Sequence, residues 1–325
     1  MAVNDLDDGP VPSGQTARQA ESVAAAARLD RKLALAVTAL PTLGTLLAVA
    51  LWLAGHGPGA AEIGVFAFLY LATAFGLEVG FHRHVTHKAF KADERVRALL
   101  IALGSMAAHG PVIWWAAVHR RHHATSDTPA DPHSPNLAGD GAWPRLKGLY
   151  HSHMGWLFEG RSTRPPGWQQ HVQDLYKDTT VLRLHMQYYF WVAAGLAAPA
   201  LLCGILARSW LGALLGLLWG GLVRSFAVSH CIWSLNSLCH VIGSRYFDTG
   251  EDDRSKNSFA LALFTFGQGW HNNHHAFPSS AYTGLRWWQI DFGGQFVGLL
   301  QALGLAWEAR RPSREAIARK RCAAK

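Results

Sequence analysis

Residues 188–207 read YYFWVAAGLAAPALLCGILA. After Arg208-Ser209 the chain continues as WLGALLGLLWGGLVRSFAVS, residues 210–229. Each run has the length of apolar helix, about 20 residues, that crosses roughly 30 Å of hydrocarbon. Two residues between them leave room only for a tight turn, so the pair predicts a helical hairpin in a bilayer. Further back, residues 33–54 (LALAVTALPTLGTLLAVALWLA) and 62–81 repeat the pattern around the turn Gly55-His56-Gly57-Pro58-Gly59. Pro41 is tolerable inside a bilayer helix. Glu62 and Glu78 lie near the two ends of the second run. The expected fold is an all-α integral membrane protein with four transmembrane helices.

Composition allows more than four spans and their turns. Apolar residues make up 50% of the chain and charged ones only 16%, against about a quarter in soluble domains. Mean hydropathy is nonetheless only +0.05, so a substantial polar part exists. Residues 82–187 and 230–310 supply it and read as a helical cap on the span bundle. Residues 96–118 are apolar, but His109, Gly110 and Pro111 interrupt them. They read as a helix in or beneath the membrane surface, leading into His119. Residues 256–310, with Trp270, Trp287, Trp288 and Trp307, read as an amphipathic segment hugging the interface. Residues 1–30 are polar and Ala-rich, with no cleavable leader, and read as a disordered tail. Residues 311–325 form a basic C-terminal tail, leaving 31–310 as the membrane domain.

The formal charge is +8. Lys and Arg flank the apolar runs rather than forming one patch, which suits membrane topology better than nucleic acid. The short turns between spans one and two and between spans three and four hold one Arg and no Lys. By the positive-inside tendency both termini and the cap lie in the cytoplasm, and the Ala/Gly/Arg bias suggests a bacterial inner membrane. A basic surface also suits an acidic electron donor or acyl carrier. The four cysteines form no C-x-x-C pair, so neither a disulfide frame nor a zinc knuckle is signalled.

Three histidine clusters carry the chemistry: His82-Arg83-His84-Val85-Thr86-His87, His119-Arg120-Arg121-His122-His123 and His271-Asn272-Asn273-His274-His275. The last two share the spacing H-x-x-H-H. On a helix i, i+3 and i+4 share a face, so each motif is expected to present three imidazoles to one point. Eight or more converging imidazoles are too many for one ion and predict a two-metal site. Imidazole ligands without Cys argue against a purely structural zinc site and suit iron and O2 chemistry, with copper or zinc left open on ligand type alone. His84 alternates with His82 and is expected to point elsewhere. His133, in Asp131-Pro132-His133, is a candidate for orienting a ligand from behind. His56, His151, His153, His171 and His185 read as ordinary hydrogen-bonded residues.

These boxes, their order and the four spans resemble the membrane fatty acid desaturase family, in its stearoyl-CoA (Δ9) acyl desaturase branch. The resemblance runs from about Phe75 to Trp307 and includes Asn236-Ser237-Leu238-Cys239-His240 and Gly269-Trp270-His271. It implies two iron ions held by His82, His87, His119, His122, His123, His240, His271, His274 and His275, with Asn236 acting through a water. It also implies O2 as co-substrate, a thioester-bound acyl chain on CoA or acyl carrier protein, and electrons from NAD(P)H. These would arrive through a ferredoxin or cytochrome b5 type donor with its reductase.

Several positions depart from that branch. Ala117-Val118 stand where an Arg-Asp pair touches the CoA headgroup. His109 and Ile232 replace the Gln and Thr that frame the substrate bend, whose Trp is kept as Trp115. Gln268 replaces a Glu beside the third box. Trp115, His109, Val118, Ile232 and Gln268 are therefore the expected substrate-contacting positions. An altered tunnel admits an acetylenase, terminal desaturase or hydroxylase on the same scaffold. A membrane metal carrier or sensor is the remaining alternative, and it predicts ligands within the spans.

Overall fold

A computed structural model describes residues 13–322. Among the described residues four helices are long and apolar enough to cross a membrane: Arg28–Leu53, Ala60–Thr86, Tyr188–Ala207 and Trp210–His240. They form two antiparallel hairpins, so the two short turns lie at one end and the histidines at the other. Helices two and four exceed expectation. At 1.5 Å per residue, their 27 and 31 residues extend for about 40 and 46 Å. Hydrocarbon takes about 30 Å of that. The surplus leaves His82 and His240 near the far ends of these long helices, each still on a rigid element.

The first helix begins at Ser13 and runs to Leu53. Residues 13–30, expected as a loose tail, are thus a helical extension of the first span. Ala17, Ala20 and the run Ala24–Ala27 supply the propensity. Residues 1–12 lie outside the described residues, as do 323–325.

Residues 96–118 contain no span. One helix runs from Glu94 to Ser105 and the next from Val112 to Thr125. Ala108 and Gly110 between them take positive φ of 61° and 97°, and Pro111 cannot continue a helix from there. The Glu94–Ser105 helix packs hard on span two. A Cβ on Gly76 would come within 2.1 Å of Gly104 N, so only glycine permits that approach. The close crossing sets the depth at which Phe81 and His82 are buried. Leu77, Phe81, Ile101, Ile113 and Leu235 form the core beside them.

The rest of the cap is short helices and turns. Lys91–Ala92 pairs antiparallel with Ala306–Trp307, tying the last cap segment to the first. Trp287 is 97% exposed, as the interfacial reading expected, but Trp270 is 1% exposed. Its Nε1 donates to Ile290 O at 2.7 Å, which makes it core rather than interface.

Candidate metal centre

His82 and His87 are five residues apart, and on an α-helix they would diverge by about 140°. Here Gly76–Thr86 is a π-helix, and His87 N donates to His82 O at 3.1 Å. The wider turn brings i and i+5 together. His84 points away, as expected: its Nδ1 lies 3.1 Å from Phe90 O, and its Nε2 accepts from Arg97 Nε at 3.0 Å.

The two H-x-x-H-H motifs do not act as expected. Each is divided between two pockets. His119 and His123 join one while His122 joins the other; His271 and His275 join that second pocket while His274 returns to the first. Successive residues turn by about 100°, so i+3 and i+4 diverge by that angle and cannot serve one point equally.

The first pocket gathers His82, His87, His119, His123 and His274. Its Nε2–Nε2 separations are 3.0 Å for His82–His274, 3.0 Å for His87–His119, 3.0 Å for His119–His123 and 2.8 Å for His123–His274. The second gathers His122, His240, His271 and His275, at 3.3 Å for His122–His275, 3.0 Å for His240–His271 and 3.1 Å for His271–His275. All nine expected histidines are thus brought together, including His240, whose position no spacing argument reveals.

Four rings rest on carboxylates that the sequence reading did not connect to them. His82 Nδ1 meets Glu78 at 2.9 Å, His122 meets Asp131 at 3.0 Å, His240 meets Asp127 at 2.7 Å and His275 meets Asp253 at 2.6 Å. A carboxylate accepts, so each Nδ1 carries the proton and each Nε2 presents a lone pair. His122 and His275 therefore face each other with two acceptors. That arrangement repels unless a cation lies between them. Metal–imidazole bonds of about 2.1 Å at right angles give nitrogen spacings of roughly 3.0 Å. The donor set fits a pair of metal ions.

Titration agrees. Burial pushes His87, His119, His123, His271, His274 and His275 well below the ordinary imidazole range, and neighbouring rings push the same way. Neutral rings are what metals require. Burial also lowers His122, but Asp131 outweighs it and the net shift is upward. Burial raises Asp127, yet His240 prevails and holds it at about 2.

Deeper support is equally specific. Arg83, 1% exposed, donates from Nε to Glu78 at 2.8 Å and from Nη2 to Asp291 at 2.7 Å. The asparagines of the third box are structural. Asn272 Oδ1 accepts from Tyr246 N and Phe247 N, both at 2.8 Å. Asn273 donates to Thr283 O and to Gln289. The His133 ring lies tilted against His122, 4.5 Å between centroids, and its backbone N donates to Asp131 at 3.0 Å. It thus buttresses the carboxylate that orients His122. His151 pairs with Glu159, His153 with Ser237 and His230, and His185 accepts from Ile113 N. None of these is in either pocket.

A cavity of about 290 Å³ reaches the first pocket at His119 and is also lined by Asn236. Its wall runs from Leu33–Pro41 of span one past Met106, Trp156 and Tyr188 to Ile232. Of the expected substrate positions, Trp115, His109, Val118 and Ile232 line it, and Trp115 stacks 4.9 Å from His119. Gln268 does not line it; it is buried just before the third box. The cavity is mostly apolar, and Ser225 is also on its wall.

The sequence model of the fatty acid desaturase family matches residues 60–293. This chain belongs to the fatty acid desaturase family. It is 42% identical over 297 residues to a hex-5-enoyl-[acyl-carrier protein] acetylenase of Moorena producens, covering 91% of each chain. It is 38% identical to an sn-1 stearoyl-lipid 9-desaturase of Anabaena variabilis, over 76% of this chain and 83% of the relative. With an acyl-CoA C20 Delta5-desaturase of Anemone leveillei it shares 34%, over 76% and 73%. As a fatty acid desaturase family member it is an oxidoreductase of lipid metabolism and a membrane protein.

Proposed function

We propose that this enzyme removes two hydrogens from adjacent carbons of a thioester-bound fatty acyl chain, using O2 and two external electrons, at a pair of iron ions. The nine converging imidazoles support this reading most strongly. The balance is one acyl –CH2–CH2–, one O2, two electrons and two protons giving –CH=CH– and two waters. His82, His87, His119, His123 and His274 would hold one ion, and His122, His240, His271 and His275 the other, with Asn236 holding a water. Iron there supplies the oxidising power that no side chain has. The chain's own residues orient and exclude. Glu78, Asp127, Asp131 and Asp253 fix the rings, Trp115 sets the bend of the acyl chain over His119, and the apolar wall keeps water from the reacting carbons.

The pattern of basic residues supports a cytoplasmic site in a bacterial inner membrane. Helices that outrun the bilayer support the same reading and weigh against a metal carrier, whose ligands would lie within the spans. A second reading is oxidation of an existing alkene to an alkyne. The match to an acetylenase acting on a carrier-protein-bound chain favours it, as do His109 and Ile232 on the cavity wall.

The test is expression in a host without desaturases, with a ferredoxin and its reductase, followed by mass spectrometry of the acyl chains. A new cis alkene or a new alkyne decides between the two readings and gives chain length and position. An unchanged acyl profile, together with purified protein carrying zinc and no iron, would refute both.

A further inference from the structure

Residues 310–321 carry Arg310, Arg311, Arg314, Arg319, Lys320 and Arg321, all exposed, against a single acid, Glu315. The segment is docked. Lys320 Nζ donates to Ala276 O at 2.7 Å, Asp248 N donates to Lys320 O at 2.8 Å, and Cys322 N donates to Tyr246 O at 3.1 Å. Arg321 lies 5.5 Å from the centre of the Tyr246 ring, and Arg286 lies over the same ring at 4.2 Å. The floor beneath belongs to the third histidine box. Tyr246 and Phe247 hang from Asn272, and Ala276 directly follows His275. From the Lys320–Ala276 hydrogen bond, one peptide link reaches His275 of the second pocket and two reach His274 of the first.

We infer that this surface receives a small acidic protein that delivers electrons one at a time; the inference rests on the redox reading above. Two such carriers are oxidised for each pair of hydrogens removed, while O2 goes to two waters. The link through Ala276 to the third box favours this occupant, since a donor seated here has a continuous path of hydrogen bonds and chain to the pockets. An acyl carrier has to present its chain to the cavity, and among the described residues none beyond Asn236 lines that cavity. An anionic bilayer wants an apolar face beside the basic one. Within residues 310–321 no large apolar side chain is exposed; the exposed Trp288 stands by Arg286 instead, 5.8 Å from its guanidinium. Substrate would then enter by the cavity and electrons by the surface over the third box.

The experiment uses the full chain in nanodiscs with a plant-type [2Fe–2S] ferredoxin as the probe, and compares wild type with the double variant Arg314→Glu/Arg319→Glu. Neither side chain touches the metal pockets or the cavity. Ferredoxin affinity is measured at low and physiological salt, and carbodiimide coupling is mapped by mass spectrometry. The expected result is affinity that falls with salt, about tenfold weaker binding in the variant, and coupling at Lys320. Product formed with dithionite as reductant stays unchanged. Equal ferredoxin affinity in both proteins overturns the inference. So does a variant that loses acyl carrier protein or phosphatidylglycerol vesicles while keeping ferredoxin. Charge-sensitive ferredoxin binding in a wild type that makes no product even with dithionite would leave the docking surface standing and sink the redox reading alone.

Discussion

The two metal pockets are built from the same side chain but held differently. Among the described residues, one of the five rings in the first pocket, His82, rests on a carboxylate. In the second, three of four do: His122 on Asp131, His240 on Asp127 and His275 on Asp253. The second pocket is thus locked by buried anions, which fix its rings and offset the charge of an ion. The first has more rings and fewer props, and it is the one the cavity reaches through His119. The carboxylate props are concentrated in the second pocket, and the less supported rings lie on the side of the cavity.

The largest expected effect breaks either pocket outright. His274→Ala removes the box-three ring of the first pocket and His240→Ala that of span four from the second. Each is expected to abolish product and to lower iron from about two ions per chain toward one, read by metal analysis of the purified protein. Full activity in either variant means the ligand assignment is wrong.

The next effect sharpens the difference between the pockets. Asp127→Ala leaves His240 in place but frees its Nδ1. Loss of such a support costs about 10–100-fold in metal affinity or activity. Spectroscopy of the half-loaded protein should then show a change at one iron environment and not at both. Equal loss at both sites would mean that the carboxylates do not divide the pair.

Little of this division was readable in the chain. The spans were legible, because about 20 apolar residues between charged turns have few other uses. The convergence of the boxes was legible too, because they are dense in one metal-binding residue. The splitting of each H-x-x-H-H was not: sequence spacing gives a shared face, and only the site shows that i+3 and i+4 straddle two centres. The π-turn that joins His82 to His87 has no composition signal. Glu78, four residues before His82, could have been paired with it by helical spacing. Asp127 could not, since 113 residues separate it from His240. His240 itself came from the family pattern rather than from spacing.

A smaller effect tests the cavity side. Ile232→Thr and His109→Gln restore the residues that frame the bend in the Δ9 branch, and neither touches a carboxylate of the second pocket. Iron content should hold at wild-type level while the position or degree of unsaturation shifts, read by mass spectrometry of the products. An unchanged product spectrum from the double variant would mean that these two walls do not set the site of attack.

The smallest effect is expected at His84, which sits inside the first box yet belongs to neither pocket. Its ring bridges Phe90 O and Arg97, so its worth is that of two hydrogen bonds, each about 0.5–1.5 kcal/mol. His84→Gln keeps a donor and an acceptor of similar reach. Activity is expected within about twofold of wild type and iron unchanged, with a fall in melting temperature of about 1–3 °C, since about 1 kcal/mol shifts a chain of this length by roughly 1.5 °C. The contrast with His82, two residues earlier, is the point of the experiment. In the π-turn one histidine faces the metal pair and the other faces a loop. A variant at His84 that loses iron would show that the turn relaxes to present a tenth ring, and would undo the distinction drawn between the pockets.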